Sequence, residues 1–296
     1  MEKYIVLCVA GQSNAVGYDE SPITEKELYC VDSSRIKQLG FYGEDNLQII
    51  PLDYCAQSMQ NLRLYNRPDS SYPGTKGIHL PLANLILPHI PEDYGILILS
   101  IAFGGTAFTS GQDAEYDFSL KKPMASDEHG QCGPYRWGKD TAYYHTLKDR
   151  IAYALQLNPQ NRFAGVIWCQ GENDSEDSQG HYTAFTEMTE QLFSDLNQMD
   201  LGNRVPKGYW DKDLWYNLET VFHWYEVGQC DQIWKNYKNW NPTTYIPIPR
   251  TTPSNRVNGT GSTAQLLDAH YGDNAYRRII APIVLEKLIA NNAFSF

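Results

Sequence analysis

What this chain lacks excludes several classes at once. Cysteine is sparse and scattered: Cys8, Cys30, Cys55, Cys132, Cys169 and Cys230 are the six in 296 residues, and no Cys-x-x-Cys pair occurs. That spacing supports neither a zinc knot nor a disulfide framework. Cys8 and Cys169, each inside an apolar run, read as buried thiols. No apolar run comes near the ~18 residues of a membrane-crossing helix. Positive charge is in deficit, with a net charge of −11, which excludes a protein that tracks a nucleic-acid backbone. The same balance disfavours an anionic substrate unless a local Arg holds its carboxylate. Neither Gly-x-Gly-x-x-Gly nor Gly-x-x-x-x-Gly-Lys-Ser/Thr occurs, so a phosphate-binding glycine frame is missing. Internal repeats and linkers are also missing, and residues 1–296 read as one domain with large loops. The N-terminus has one Lys, then an apolar run, then Gly-Gln-Ser-Asn, which reads as a first strand and not as a signal peptide. The expected location is cytoplasmic, or periplasmic or secreted if a leader has been removed.

What is present is the profile of a soluble, folded chain, 42% hydrophobic and 20% charged. Three apolar runs of strand length stand out: Tyr4–Ala10, Tyr94–Phe103 and Phe163–Cys169. A weaker patch covers Leu47–Ile50, and Thr244–Ile248 reads as a further strand. Helical periodicity predicts helices over Leu80–Ile90, Asp140–Asn158, Tyr182–Met199 and Asn274–Asn291. Strand, loop and helix repeated in this order predict a three-layer α/β/α sandwich with a mainly parallel sheet. Residues 18–80 are irregular and polar, as loops folded over a sheet would be.

Each strong strand ends in a polar turn bearing glycine: Gln12-Ser13-Asn14 after Gly11, then Gly104-Gly105-Thr106, then Gln170-Gly171-Glu172. Ligands bind at the carboxyl ends of parallel strands. A fourth cluster, Asp268-Ala269-His270, precedes the last helix. Together these supply a nucleophile, oxyanion donors and a base with its orienter. Ser13 alone is also compatible with a helix cap. Glu172 and Asp174 read as a metal pair, as anchors for nearby backbone, or, for Glu172, as a partner of His270. The other histidines show no ligand spacing. The aromatic-dense stretch 205–240 reads either as core or dimer surface, or as a sugar-facing wall.

Several of these blocks resemble the SGNH-type carbohydrate esterases of the sialate O-acetylesterase class. They are Val9-Ala10-Gly11-Gln12-Ser13-Asn14-Ala15, Arg35-Ile36-Lys37-Gln38-Leu39, Gly104-Gly105-Thr106-Ala107-Phe108, Arg136-Trp137-Gly138-Lys139-Asp140-Thr141, Asn158-Pro159-Gln160-Asn161 and Gln170-Gly171-Glu172-x-Asp174. The closer similarity is to bacterial sialic acid 9-O-acetylesterases, over roughly residues 4–290. The resemblance implies a flavodoxin-like SGNH-hydrolase fold and an esterase that uses neither metal nor organic cofactor. It implies Ser13 as nucleophile and His270 as base. The implied oxyanion hole is the N–H of Ser13, the N–H of Gly104 and the side-chain amide of Gln170. The family's usual acid stands three residues before the histidine. Here that position is Leu267 and the nearest acid is Asp268, so a Ser–His dyad is an alternative to the triad.

The expected substrate is a small O-acetylated sugar, foremost a 9-O-acetylated sialic acid, contacted by Gln12, Asn14, Gly105 and Arg136, with Glu172 and Asp174 in support. Arg136 reads as the anchor for the sialate carboxylate, or else as half of an ion pair with Asp140 or another acid. Two alternatives remain: deacetylation of acetylated xylan or another neutral polysaccharide, and a non-catalytic carbohydrate-binding protein on the same fold. Neither nucleic acid nor membrane is expected as a partner, and the oligomeric state is open.

Overall fold

Long apolar runs flanked by amphipathic helices build a sheet covered on both faces. The computed structural model describes residues 2–19, 34–64, 74–124, 135–226, 230–254 and 269–295. In chain order the strands are β1 (Lys3–Gly11), β2 (Ile36–Leu39), β3 (Ile49–Pro51), β4 (Tyr94–Ala102), β5 (Tyr116–Asp117), β6 (Lys122–Pro123), β7 (Arg162–Cys169) and β8 (Trp215–Asn217). Six of them form one sheet in the order β3-β2-β4-β1-β7-β8, parallel throughout except for the antiparallel edge strand β3. β5 and β6 form a separate hairpin.

The helices are α1 (Ser13–Val16), α2 (His79–Ile86), α3 (Ala142–Gln156), α4 (Ser178–Gln198), α5 (His223–Glu226), α6 (Asp231–Trp240), α7 (Asp273–Ala275) and α8 (Ala281–Ala290). Alternate residues of β1 face opposite layers, as the period of two requires. Val6, Cys8 and Ala10 join Leu147 and Ile151 of α3, Phe185 and Met188 of α4, and Tyr237 of α6. Ile5, Leu7 and Val9 join Leu82 and Ile86 of α2 and Val284 and Leu288 of α8. The three-layer α/β/α sandwich is therefore present. No helix among the described residues is long and apolar enough to cross a membrane.

Several boundaries differ from the sequence reading. Thr244–Ile248 is not a strand; only a single bridge joins Ile246 to Leu218. β2 and β8 are real strands but short, and their residues lie in polar or aromatic-rich surroundings that mask alternation. The first helix expected over Leu80–Ile90 gives way to a 3-10 turn at Leu87–His89, where Pro88 interrupts it. The closing helix contains a π-helical segment, Tyr276–Ile280. Thr141 caps α3 by accepting the Tyr144 N–H, and Asp177 caps α4 by accepting the Gly180 N–H. Cys8 and Cys169 are buried free thiols.

The register sets the site. Gly11 of β1 is level with Ala102 of β4 and with Cys169 of β7. The turns carrying Ser13, Gly104 and Gln170 therefore leave the sheet side by side.

Candidate active site

Gly11 explains how the serine turn reaches its place. Its φ is +130°, and a Cβ there would lie 2.1 Å from the Cys169 carbonyl oxygen. Only glycine lets β1 pass so close to β7. The Gln12 N–H then donates to Cys169 O at 2.8 Å, and the Ala15 and Val16 N–H groups donate back to Gln12 O. Gln12, not Ser13, is the N-cap residue, and no side chain caps this helix. The capping explanation of Ser13 thus falls away. Ser13 is 8% exposed, and its own N–H has no partner among the described residues. Gln12 is buried beside it with Oε1 unpartnered among the described residues.

Asn14 ties this turn to the others. Its Nδ2 donates to Glu172 Oε1 at 3.0 Å and lies 3.4 Å from Thr220 Oγ1, which itself donates to Glu172 Oε1 at 2.6 Å. Its Oδ1 accepts the N–H of Tyr271 at 3.1 Å. The Tyr276 hydroxyl donates to Asn14 O at 3.2 Å. Asn14 follows Ser13, and Tyr271 follows His270, so one side chain fixes the Ser13 turn against the His270 turn. Asn14 is thereby a structural link whose amide is engaged within the protein. Glu172 is buried; burial raises its pKa, and the bonds from Thr220 and Asn14 oppose that rise. It acts on the histidine segment through Asn14.

His270 stacks on Tyr18, with ring centroids 4.9 Å apart and planes at 19°. The Tyr18 hydroxyl in turn lies at Gly104, 3.1 Å from where a Cβ would stand. The Trp224 indole N–H donates to Ala269 O at 2.9 Å. Burial, with the nearby His223, lowers the His270 pKa to about 4. The ring is neutral at pH 7 and can accept a proton. No hydrogen bond joins it to Ser13 Oγ, and no carboxylate bonds to it among the described residues. Asp268, the expected acid, lies outside the described residues.

The other expected donors are already engaged. The Gly104 N–H donates to Gln60 Oε1 at 2.9 Å. Gln170 is fully buried, and its Nε2 lies 3.2 Å from Thr106 O and 3.1 Å from Asp174 Oδ2. An oxyanion would have to displace one of these acceptors to use the Gln170 amide. Gly105 is exposed, with φ +75°, and faces Asn173, whose Nδ2 is 3.7 Å from a Cβ position.

Asp174 organises the loop that carries these glycines. It accepts the N–H groups of Phe108 and Thr109, the Thr109 hydroxyl at 2.7 Å, and Nδ1 of His181 at 2.8 Å. Burial would raise its pKa, but His181 and Thr109 outweigh burial and bring it to about 2. His181 Nε2 meets the Tyr237 hydroxyl at 2.8 Å, and Tyr237 donates to Gln170 O at 3.1 Å. Glu172 and Asp174 thus serve different partners and form no metal pair.

Arg136 stands apart. Its Nε and Nη2 hold Asp113 at 2.6 and 3.1 Å on the surface. The ion-pair reading is the observed one, with Asp113 in place of Asp140, and a sugar carboxylate would have to displace Asp113. The aromatic stretch divides. Trp210, Trp215, Tyr216, Trp234 and Tyr237 are core. Phe222, Trp224 and Tyr225 are half-buried, and Trp224 bonds to the His270 turn at Ala269 O. Sequence reasoning missed Tyr18, Gln60 and Thr220. All three lie in irregular segments, and the only pointer to them was the general tendency of such loops to line sites.

No family model matches the chain. A protein of Escherichia coli (strain K12) named "Probable 9-O-acetyl-N-acetylneuraminic acid deacetylase" is 36% identical over 256 residues, which covers 80% of this chain and 73% of that protein. The crystal structure of NanS superposes with a TM-score of 0.81 at 30% identity and covers 97% of each chain. A protein from Arabidopsis thaliana, at 15% identity and a TM-score of 0.58 over 97% of this chain and 98% of that one, shares the fold.

Proposed function

This chain belongs to the bacterial sialate O-acetylesterases of the SGNH-type esterase family, and from that premise we propose that it hydrolyses 9-O-acetylated sialic acid to sialic acid and acetate. It is a carboxylic ester hydrolase. The observation that carries the mechanism is the Asn14 bridge, which holds the Ser13 turn against the His270 turn.

A serine hydroxyl is a weak nucleophile until a base takes its proton. The His270 ring, neutral at pH 7, has a nitrogen lone pair able to take that proton. Ser13 Oγ attacks the acetyl carbonyl carbon while its proton passes to His270. The carbonyl becomes a tetrahedral oxyanion. The unpartnered Ser13 N–H is the first donor for it, and the Gly104 N–H is the second once Gln60 Oε1 gives way. Loss of one such donor costs roughly 3–4 kcal/mol of transition-state stabilisation. The C–O bond to the sugar breaks, the sugar oxygen takes the proton from His270, and acetyl-Ser13 remains. Water then gives a proton to His270 and attacks the acetyl group; acetate leaves and Ser13 regains its proton. We assign Gln170 to holding Thr106 and Asp174, with any contact to the oxyanion requiring it to exchange partners. No step calls for a metal.

The test is acetate release from 9-O-acetylated sialic acid and from acetylated xylan. Release from the sialate supports the reading, and release from xylan alone refutes it. The pairing of Arg136 with Asp113 is the observation on the side of a neutral sugar, because it engages the cation first expected to hold a carboxylate.

A further inference from the structure

We propose that Arg250, seated over the rings of Phe222 and Tyr225, is the cation that holds the carboxylate of the substrate. The inference rests on the sialate reading and adds to it the subsite that confers preference for an acidic sugar. The guanidinium carbon lies 5.2 Å from the Phe222 ring centre and 5.3 Å from that of Tyr225. The two rings stack at 6.1 Å with planes 25° apart, so they form one platform. Arg250 is exposed and forms no ion pair among the described residues. Glu219 is close enough to feel the Arg250 charge, but its oxygens are bonded to other donors: the Tyr225 hydroxyl donates to its Oε1 and the Ile248 N–H to its Oε2 at 2.8 Å. A guanidinium carried on aromatic faces is oriented by them, while its N–H edges stay available for two carboxylate oxygens.

The platform belongs to the segment that braces the base. Trp224, between the two rings in sequence, donates to Ala269 O at 2.9 Å. The Tyr271 hydroxyl donates to Glu219 O at 3.0 Å, and Ser254, four residues past Arg250, bridges to Tyr271. In a 9-O-acetylated sialic acid the ester and the carboxylate lie at opposite ends of the sugar. Its anchor must therefore stand off from the nucleophile. Arg250 stands on the Phe222–Tyr225 platform, which reaches the His270 turn through the bond from Trp224 to Ala269 O. In a chain of net charge −11, such a local cation is what an acidic sugar requires. Arg136 is bound to Asp113, whereas Arg250 has no salt-bridge partner among the described residues.

The test compares wild type, Arg250→Ala and Arg250→Lys on 9-O-acetylated sialic acid and on its methyl ester, which lacks the carboxylate. With Arg250→Ala, KM for the acid should rise about tenfold or more, with kcat changed less than about twofold. KM for the methyl ester should match that of wild type. Arg250→Lys should recover part of the loss, because it keeps the charge without the fork. Equal changes on both substrates, or none on either, overturn the assignment while wild-type turnover of the acid leaves the substrate reading standing. A wild-type protein that releases no acetate from either sialate refutes the substrate reading and this subsite with it.

Discussion

Asn14→Ala asks whether the serine turn and the histidine turn act as one unit. In the protein, Asn14 donates to Glu172 Oε1 at 3.0 Å and accepts the buried Tyr271 N–H at 3.1 Å. Alanine removes both bonds. Tyr271 N–H then becomes a buried donor without an acceptor. Glu172, whose Oε2 already has no partner among the described residues, is left with Thr220 alone. The unsatisfied Tyr271 N–H costs about 1–3 kcal/mol and the lost bond to the Glu172 carboxyl about 1.5–3 kcal/mol, together roughly 2.5–6 kcal/mol. The Asn14 amide no longer has to be desolvated, which offsets part of this, and we expect a net loss of roughly 2–4 kcal/mol. Catalysis should suffer separately. A displacement of about 1 Å between reacting groups can cost about 100-fold in rate, and Asn14 is the tether that opposes it. Urea unfolding gives the first quantity, and steady-state kinetics on an acetyl ester gives the second. KM should stay within about threefold, because no substrate contact is removed. A folded variant that keeps most of its kcat would refute the idea that this bridge sets the Ser13–His270 geometry.

Ser13→Ala should abolish esterase turnover and leave the urea midpoint nearly unchanged; a purified variant that keeps most of its turnover would show that the nucleophile is misassigned. His270→Ala should cost nearly as much turnover, since the two groups act together. With the His270 pKa lowered to about 4, the acid limb of kcat/KM should fall near pH 4, below the ordinary histidine value of about 6.5; a limb at 6.5 would mean that the working base is better solvated than the structure shows. Stability should follow a related course. His79 is fully buried with its pKa lowered to about 4, so between about 6.5 and 4 the unfolded chain binds a proton that the folded chain does not. Its contribution is present above about 6.5 and lost as pH falls toward 4, amounting to roughly 3 kcal/mol; His79→Gln should flatten that part of the pH–stability curve. Asp174→Asn should destabilise by roughly 3–5 kcal/mol, because His181 and the 108–109 backbone lose a buried charged acceptor; a loss below about 1 kcal/mol would show that the hub is replaceable.

The sheet was legible because β1, β4 and β7 are long, apolar and followed by glycine. Burial on both faces demands such runs, and the turns after them lie level in the register. β2 and β8 were not legible as strands. Each is short, and its place depends on pairing with a longer neighbour, which leaves little local pattern. Thr244–Ile248 shows the converse: an apolar stretch that packs beside β8 and forms one bridge. At the site, Ser13, Gly104 and Glu172 stand out as residue types at strand ends, and His270 as a histidine just before the closing helix. Their connections do not. Asn14 reads equally as a substrate contact or a cap until Tyr271, 257 positions away, is seen to donate to it. Arg136 shows the same limit, since Asp113 becomes its partner only through the fold. Tyr18 and Gln60 carry no spacing signal, because irregular segments place their side chains by tertiary contact alone.

The central claim is that acetyl transfer passes through Ser13. The most direct measurement is rapid acid quenching of wild-type protein during turnover of 9-O-acetylated sialic acid, followed by mass spectrometry of the peptide that spans Gly11–Gly17. The account predicts an acetyl group on Ser13, absent from the Ser13→Ala protein and slow to clear in His270→Gln. Wild-type turnover with that peptide unmodified under every quench time, or an acetyl group carried by another residue, would contradict it.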